Sequence, residues 1–186
     1  MGRTSIGYAA NLTAEVSLSS VVRRCLLYLS GAFWLAFASS AVNAQSTAAD
    51  KVRISGLSDV AFGTITSSAA DAVRSQSICL YAKAPPTNNY RITASGSGSG
   101  GAFYLSSGTD ALPYEVHWSN SPGQSNGIQL SPNVPLPGQP NSASNDDCSK
   151  GPATTASLIV ILRSTALAAA IAGSYNGSLT LLVAPE

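Results

Sequence analysis

Ser178-Leu179-Thr180-Leu181-Leu182-Val183, close to the end of the 186-residue chain, alternates polar and apolar residues and reads as a β-strand. Leu179, Leu181 and Val183 share one face of it. Only Ala184-Pro185-Glu186 follow in the sequence, so nothing downstream covers the edge of this strand. An uncapped apolar edge is an aggregation hazard in water; natural chains cover it or use it to accept a strand from a partner. The stretch therefore predicts a sheet that is missing a strand.

Upstream of it, short runs rich in Val, Ile, Thr, Tyr and Phe recur between clusters of Gly, Pro, Ser and Asn, with no sustained helical spacing between residues 45 and 164. Strands are expected near 51–57, 60–65, 76–83, 89–94, 102–105, 113–118, 156–163 and 177–184. This spacing predicts an all-β antiparallel sandwich. Tyr114, Val116 and Trp118 share the core face of one strand, and Glu115 and His117 the other. Ser157-Leu158-Ile159-Val160-Ile161-Leu162 is apolar on both faces apart from Ser157, as in a central strand covered on both sides. The glycine run Ser95–Gly101 reads as a flexible connection, since no Lys follows and no helix opens there to make a phosphate cradle. The tract 119–149, with Pro122, Pro132, Pro135, Pro137 and Pro140, reads as a mobile surface loop or a binding loop. Neither is expected to supply a packed strand. The alanine-rich segment 166–172 suggests one or two helical turns before Gly173.

Arg23 and Arg24 precede an apolar run from Cys25 to Ala38 and the small-residue site Val42-Asn43-Ala44. This is the pattern of a secretory signal peptide over residues 1–44, cleaved before Gln45; the run is too short for a spanning helix, which needs about 20 apolar residues. Residues 1–20 show no targeting logic of their own, which suggests Val21 or Val22 as an alternative start. Residues 45–186 then make a single domain. Three of the ten basic residues (Arg3, Arg23, Arg24) and one of the nine acidic ones (Glu15) leave with the leader. The seven basic against eight acidic that remain argue against nucleic acid as a partner. Cys25 also leaves, so Cys79 and Cys148 are an even pair in a chain bound for an oxidising compartment, and they are expected to form a disulfide.

His117 is the only histidine, and no Ser-His-Asp or Cys-His order with a nucleophile elbow surrounds it. No catalytic residue is assigned, and the chain is not expected to be an enzyme. Glu115 and His117 supply two candidate metal ligands without a third, so no metal or other cofactor is expected. Asp146 and Asp147 lack the repeated oxygen ligands of a calcium loop.

Phe62-Gly63-Thr64, a strand containing Cys79, the segment Leu112-Pro113-Tyr114-Glu115-Val116, and Ala172-Gly173-Ser174-Tyr175 before the final strand resemble the spore coat protein U domain, shared by the pilins of archaic, Csu-type chaperone-usher fimbriae. The resemblance spans nearly all of residues 51–186. It implies an incomplete immunoglobulin-like sandwich whose missing strand is supplied first by a periplasmic chaperone and then by the N-terminal strand of a neighbouring subunit, with an outer-membrane usher in the pathway. Leu179, Leu181 and Val183 would then line the acceptor groove, and Glu186 would carry the carboxylate held by the chaperone. The expected path is export to the periplasm and then to the cell surface, with membrane contact only through the leader. Gln45-Ser46-Thr47-Ala48-Ala49-Asp50 makes a poor donor arm, which points to a tip, minor or terminating subunit; alternatively Lys51–Leu57 is the arm and the domain begins near Val60. A free-standing secreted module that binds through its Pro-rich and Gly-rich loops is the competing reading.

Overall fold

The computed structural model describes residues 8–17 and 50–186. These form β1 (Tyr8–Ser17), β2 (Lys51–Ser55), β3 (Val60–Ile65), β4 (Ala72–Lys83), β5 (Tyr90–Gly96), β6 (Tyr104–Ser107), β7 (Asp110–Pro113), β8 (Glu115–Ser119), β9 (Ile128–Gln129), β10 (Leu136–Gln139), β11 (Ala156–Leu162), α1 (Ser164–Ala169) and β12 (Ser174–Pro185). One sheet runs β10-β5-β12-β1-β3, with the β6–β7 hairpin joined to β12; the other runs β2-β4-β11-β8-β9. Every pairing is antiparallel except that of β1 with β12. The two sheets pack face to face as a β-sandwich.

Period-2 alternation builds the core. Tyr90, Ile92 and Ala94 of β5 and Leu179, Leu181 and Val183 of β12 are buried from one sheet, against Ile78, Leu80 and Ala82 of β4 and Val116 and Trp118 of β8 from the other. All seven residues of β11 are buried, as its two-faced apolarity implies. The helix begins at Ser164, two residues before the alanine-rich segment, and ends at Ala169. No helix among the described residues is long and apolar enough to cross a membrane. Of the expected leader, residues 1–7 and 18–44 lie outside the described residues.

Two loop expectations are corrected. Ser95 and Gly96 belong to β5, and a Cβ at Gly96 would stand 2.3 Å from the Ala102 carbonyl oxygen. The glycine run is glycine because two backbones meet there, so it is a tight turn and not a flexible connection. The tract 119–149 contributes β9 and β10 and buries Leu130, Gln139 and Ala143. It is held over the sandwich because its backbone finds side-chain partners on the sheet: the Ser75 hydroxyl donates to the Gln124 carbonyl (2.5 Å), and the Gly123 N–H donates to the Ser77 hydroxyl (2.8 Å). The Gln124 N–H donates to the Ser157 hydroxyl (3.1 Å), which donates in turn to the Ser121 carbonyl (2.8 Å).

Beyond Ile78, β4 leaves β11 and pairs with β2. Thr155 covers the changeover, its hydroxyl accepting from the Leu80 N–H (2.9 Å) and donating to the Leu80 carbonyl (3.0 Å). Cys79 is bonded to Cys148 (S–S 2.00 Å) and packs with Ala143 and Tyr81, which ties the end of the tract to β4. A formed disulfide is the chemistry of an oxidising, extracytoplasmic compartment. Val52 and Ile54 of β2 pack on the core, so Lys51–Ser55 is an edge strand of the sandwich and not an arm ahead of it.

Candidate functional site: a strand slot beside the last strand

β12 has two edges. One is paired with β5 over Leu179–Pro185 and bridged to β6 at Asn176. The other receives no strand from residues 50–186; β1 lies along it, and β3 lies beyond β1. With strands spaced roughly 4.8 Å apart, β12 and β3 flank a slot one strand wide. Its floor is the core. Leu179, Leu181 and Val183, the residues assigned to the groove, are fully buried facing the opposite sheet, so they are core and slot floor together.

β1 runs parallel to β12 from Ala9 opposite Ser174 to Ser17 opposite Leu182, and antiparallel to β3 from Tyr8 opposite Ile65 to Leu12 opposite Val60. The register on β3 shifts at Phe62, because Gly63 pairs with Ala10 while Ala61 pairs with Asn11. Gly63 takes φ +69°, a left-handed conformation that glycine adopts without cost and that suits such a bulge. Phe62 is buried, with the Arg74 guanidinium 5.5 Å over its ring and donating to the Phe62 carbonyl (3.1 Å). Phe62-Gly63-Thr64 is thus the bulged wall of the slot. At the other end of the motif set, a Cβ on Gly173 would meet the Ser107 hydroxyl at 2.7 Å, and the buried Tyr175 donates its hydroxyl to the Ile171 carbonyl (2.7 Å). These two residues set the turn that launches β12.

The sequence reading missed the occupant. Ala10, Leu12, Ala14 and Val16 alternate with Asn11, Thr13, Glu15 and Ser17, a strand signal inside the stretch assigned to the leader. Those four positions stand in register with Tyr175, Gly177, Leu179 and Leu181, alternate residues of β12 that point toward the core.

Glu186 lies at the far end of β12. Its backbone N–H donates to the Asn89 carbonyl (2.9 Å), its carbonyl accepts from the Thr87 hydroxyl (3.0 Å), and its side-chain carboxylate accepts from the Gly138 N–H (2.7 Å). Nearby, the Asn120 side-chain oxygen accepts from the Tyr90 hydroxyl (2.8 Å) and the Trp118 indole (3.0 Å), while its amide donates to Gln139 (2.7 Å). This polar knot closes that end of the sandwich, and burial pushes the Tyr90 phenol up to about 12.

The charged face of β8 does different work. Arg163 forks onto Glu115 (2.9 and 2.5 Å) and reaches Asp71 (2.8 Å), whose other oxygen accepts from the Ser164 N–H (2.7 Å). His117 contacts Glu115 through Nε2 (3.0 Å) and the Gly127 carbonyl through Nδ1 (3.1 Å). Arg163 holds the Glu115 carboxyl below its ordinary range, and the Ser164 N–H, then Arg163, do the same for Asp71. The cluster clips β4, β8, β9 and α1 together. Among the described residues no group of three or more His, Cys, Asp or Glu side chains is placed to hold a metal ion. Asp146 is paired with Lys51 and, at 3.7 Å, with Arg53, linking the disulfide loop to β2.

No model of a known protein family matches this sequence, and no curated protein matches it significantly.

Proposed function

We propose that residues 45–186 form a strand-accepting structural subunit of a secreted surface fibre, assembled by donor-strand complementation through a periplasmic chaperone and an outer-membrane usher. The carrying observation is the edge of β12 that no strand from residues 50–186 covers, above a row of buried Leu179, Leu181 and Val183. The resemblance of Phe62-Gly63-Thr64 and Gly173-Ser174-Tyr175 to the spore coat protein U domain supports it further, since these residues form the wall of the slot and the turn into β12. The disulfide accords with export. The subunit has no catalytic role in this reading. Glu186, at the end of β12, is where the chaperone would take hold, and the weak arm Gln45–Asp50 suits a tip or minor position in the fibre.

In a chain that keeps residues 1–44, β1 favours the free-standing binding module, since a sandwich that closes its slot with its own strand needs no neighbour. The two separate in the native host. Surface material sheared from cells and run without heating should show this chain in high-mass ladders that collapse to a monomer on boiling. Monomer alone, free in the medium, would favour the binding module.

A further inference from the structure

We infer that Tyr8–Ser17 is a closing strand supplied by the chain itself, so that the uncut chain holds its slot shut from within and any other strand must displace this segment. Three observations carry it. The apolar–polar alternation of residues 10–17 is in phase with β12, which places Ala10, Leu12, Ala14 and Val16 at the register positions of its core-directed residues. The segment pairs with both walls, nine positions on β12 and five on β3, and meets the bulge at Phe62 with a matching shift of register. Among the described residues β3 has no other strand neighbour in its sheet, so β1 is what joins β3 to β12.

The connection is long enough for closure from within. Residues 18–49 amount to 32 residues, a chain able to span roughly 100 Å when extended. The expected cleavage site before Gln45 lies in the same connection, so removing residues 1–44 takes β1 away and opens the slot. Closure does not require a fibre, and a fibre does not require closure in the uncut chain.

The test uses the full chain made by cell-free synthesis under oxidising conditions, where no export machinery removes its first residues. Thr13 and Ser178 are register partners, whereas Ser17 is opposite Leu182. In the double variant Thr13→Cys with Ser178→Cys, the two introduced thiols are expected to bond within one monomer. The displaced pair Ser17→Cys with Ser178→Cys should bond at least about tenfold less. In the unaltered chain, amide exchange at residues 9–17 should be at least about tenfold slower than in a free peptide of that sequence, as for amides held in a sheet. Unprotected amides at 9–17, equal bonding in the two variants, or bonding only between copies would each overturn closure from within. None of these results bears on the ladders sheared from cells, so the two readings fail separately.

Discussion

Arg163 and Glu115 come from different strand ends and meet as a forked ion pair, and neither partner is identifiable from its neighbours in sequence. The alternation of Glu115 and His117 did show that they share an outer face; what escaped was the cation arriving 48 residues later, because pairing across a sheet leaves no local signal. The pair has a pH consequence. Glu115 and Asp71 are held below their ordinary values in the folded protein, so they bind protons more readily when unfolded. Their contribution is complete above the unfolded carboxylate range near pH 4 and is lost as pH falls through the lower folded values. Urea midpoints of the oxidised protein should therefore drop on acidification from about pH 5 to 2. Arg163→Gln should flatten that drop without abolishing it, since the Ser164 N–H still serves Asp71. Identical acid limbs in the two proteins would show that Arg163 contributes nothing to the effect.

Strands whose alternation is local were legible: 60–65 was placed to the residue, and the ranges for β4, β5, β11 and β12 were right in kind and short or long at their ends. β6 is expected two residues early, at 102–105 against Tyr104–Ser107, and β7, β9 and β10 are not legible. Their residues follow Gly and Pro clusters, and what makes them strands is a partner brought from elsewhere. Composition misled most at Ser95–Gly101, where glycine signals close approach and not freedom. Gly96→Ala tests that distinction. Its methyl would meet the Ala102 carbonyl and the Phe103 backbone, none of which is the end of a flexible side chain. The substitution should cost about 1–3 kcal/mol, read as a lower urea midpoint at an unchanged denaturant slope. A neutral result would mean that the turn is loose after all.

At the scale of the molecule, residues 50–186 leave one side of β12 without a strand, and β1 covers it. The alternation beyond position 177 marks β12 as a strand but not as the inner one it is, lying between β5 and β1; the segment beside it is not legible because it precedes the leader-like run. Closing the disulfide loop between Cys79 and Cys148, 69 residues apart in sequence, is worth about 4 kcal/mol in the chain-entropy account. That constraint acts within residues 50–186 whether or not β1 is present. The most direct measurement is thermal unfolding of oxidised residues 45–186, alone and with a synthetic peptide of residues 8–17. The domain should be unstable or self-associating by itself, and the peptide should raise its midpoint in proportion to the logarithm of its concentration above the dissociation constant. A monomer that unfolds cooperatively at the same midpoint with and without the peptide would show that there is no open slot.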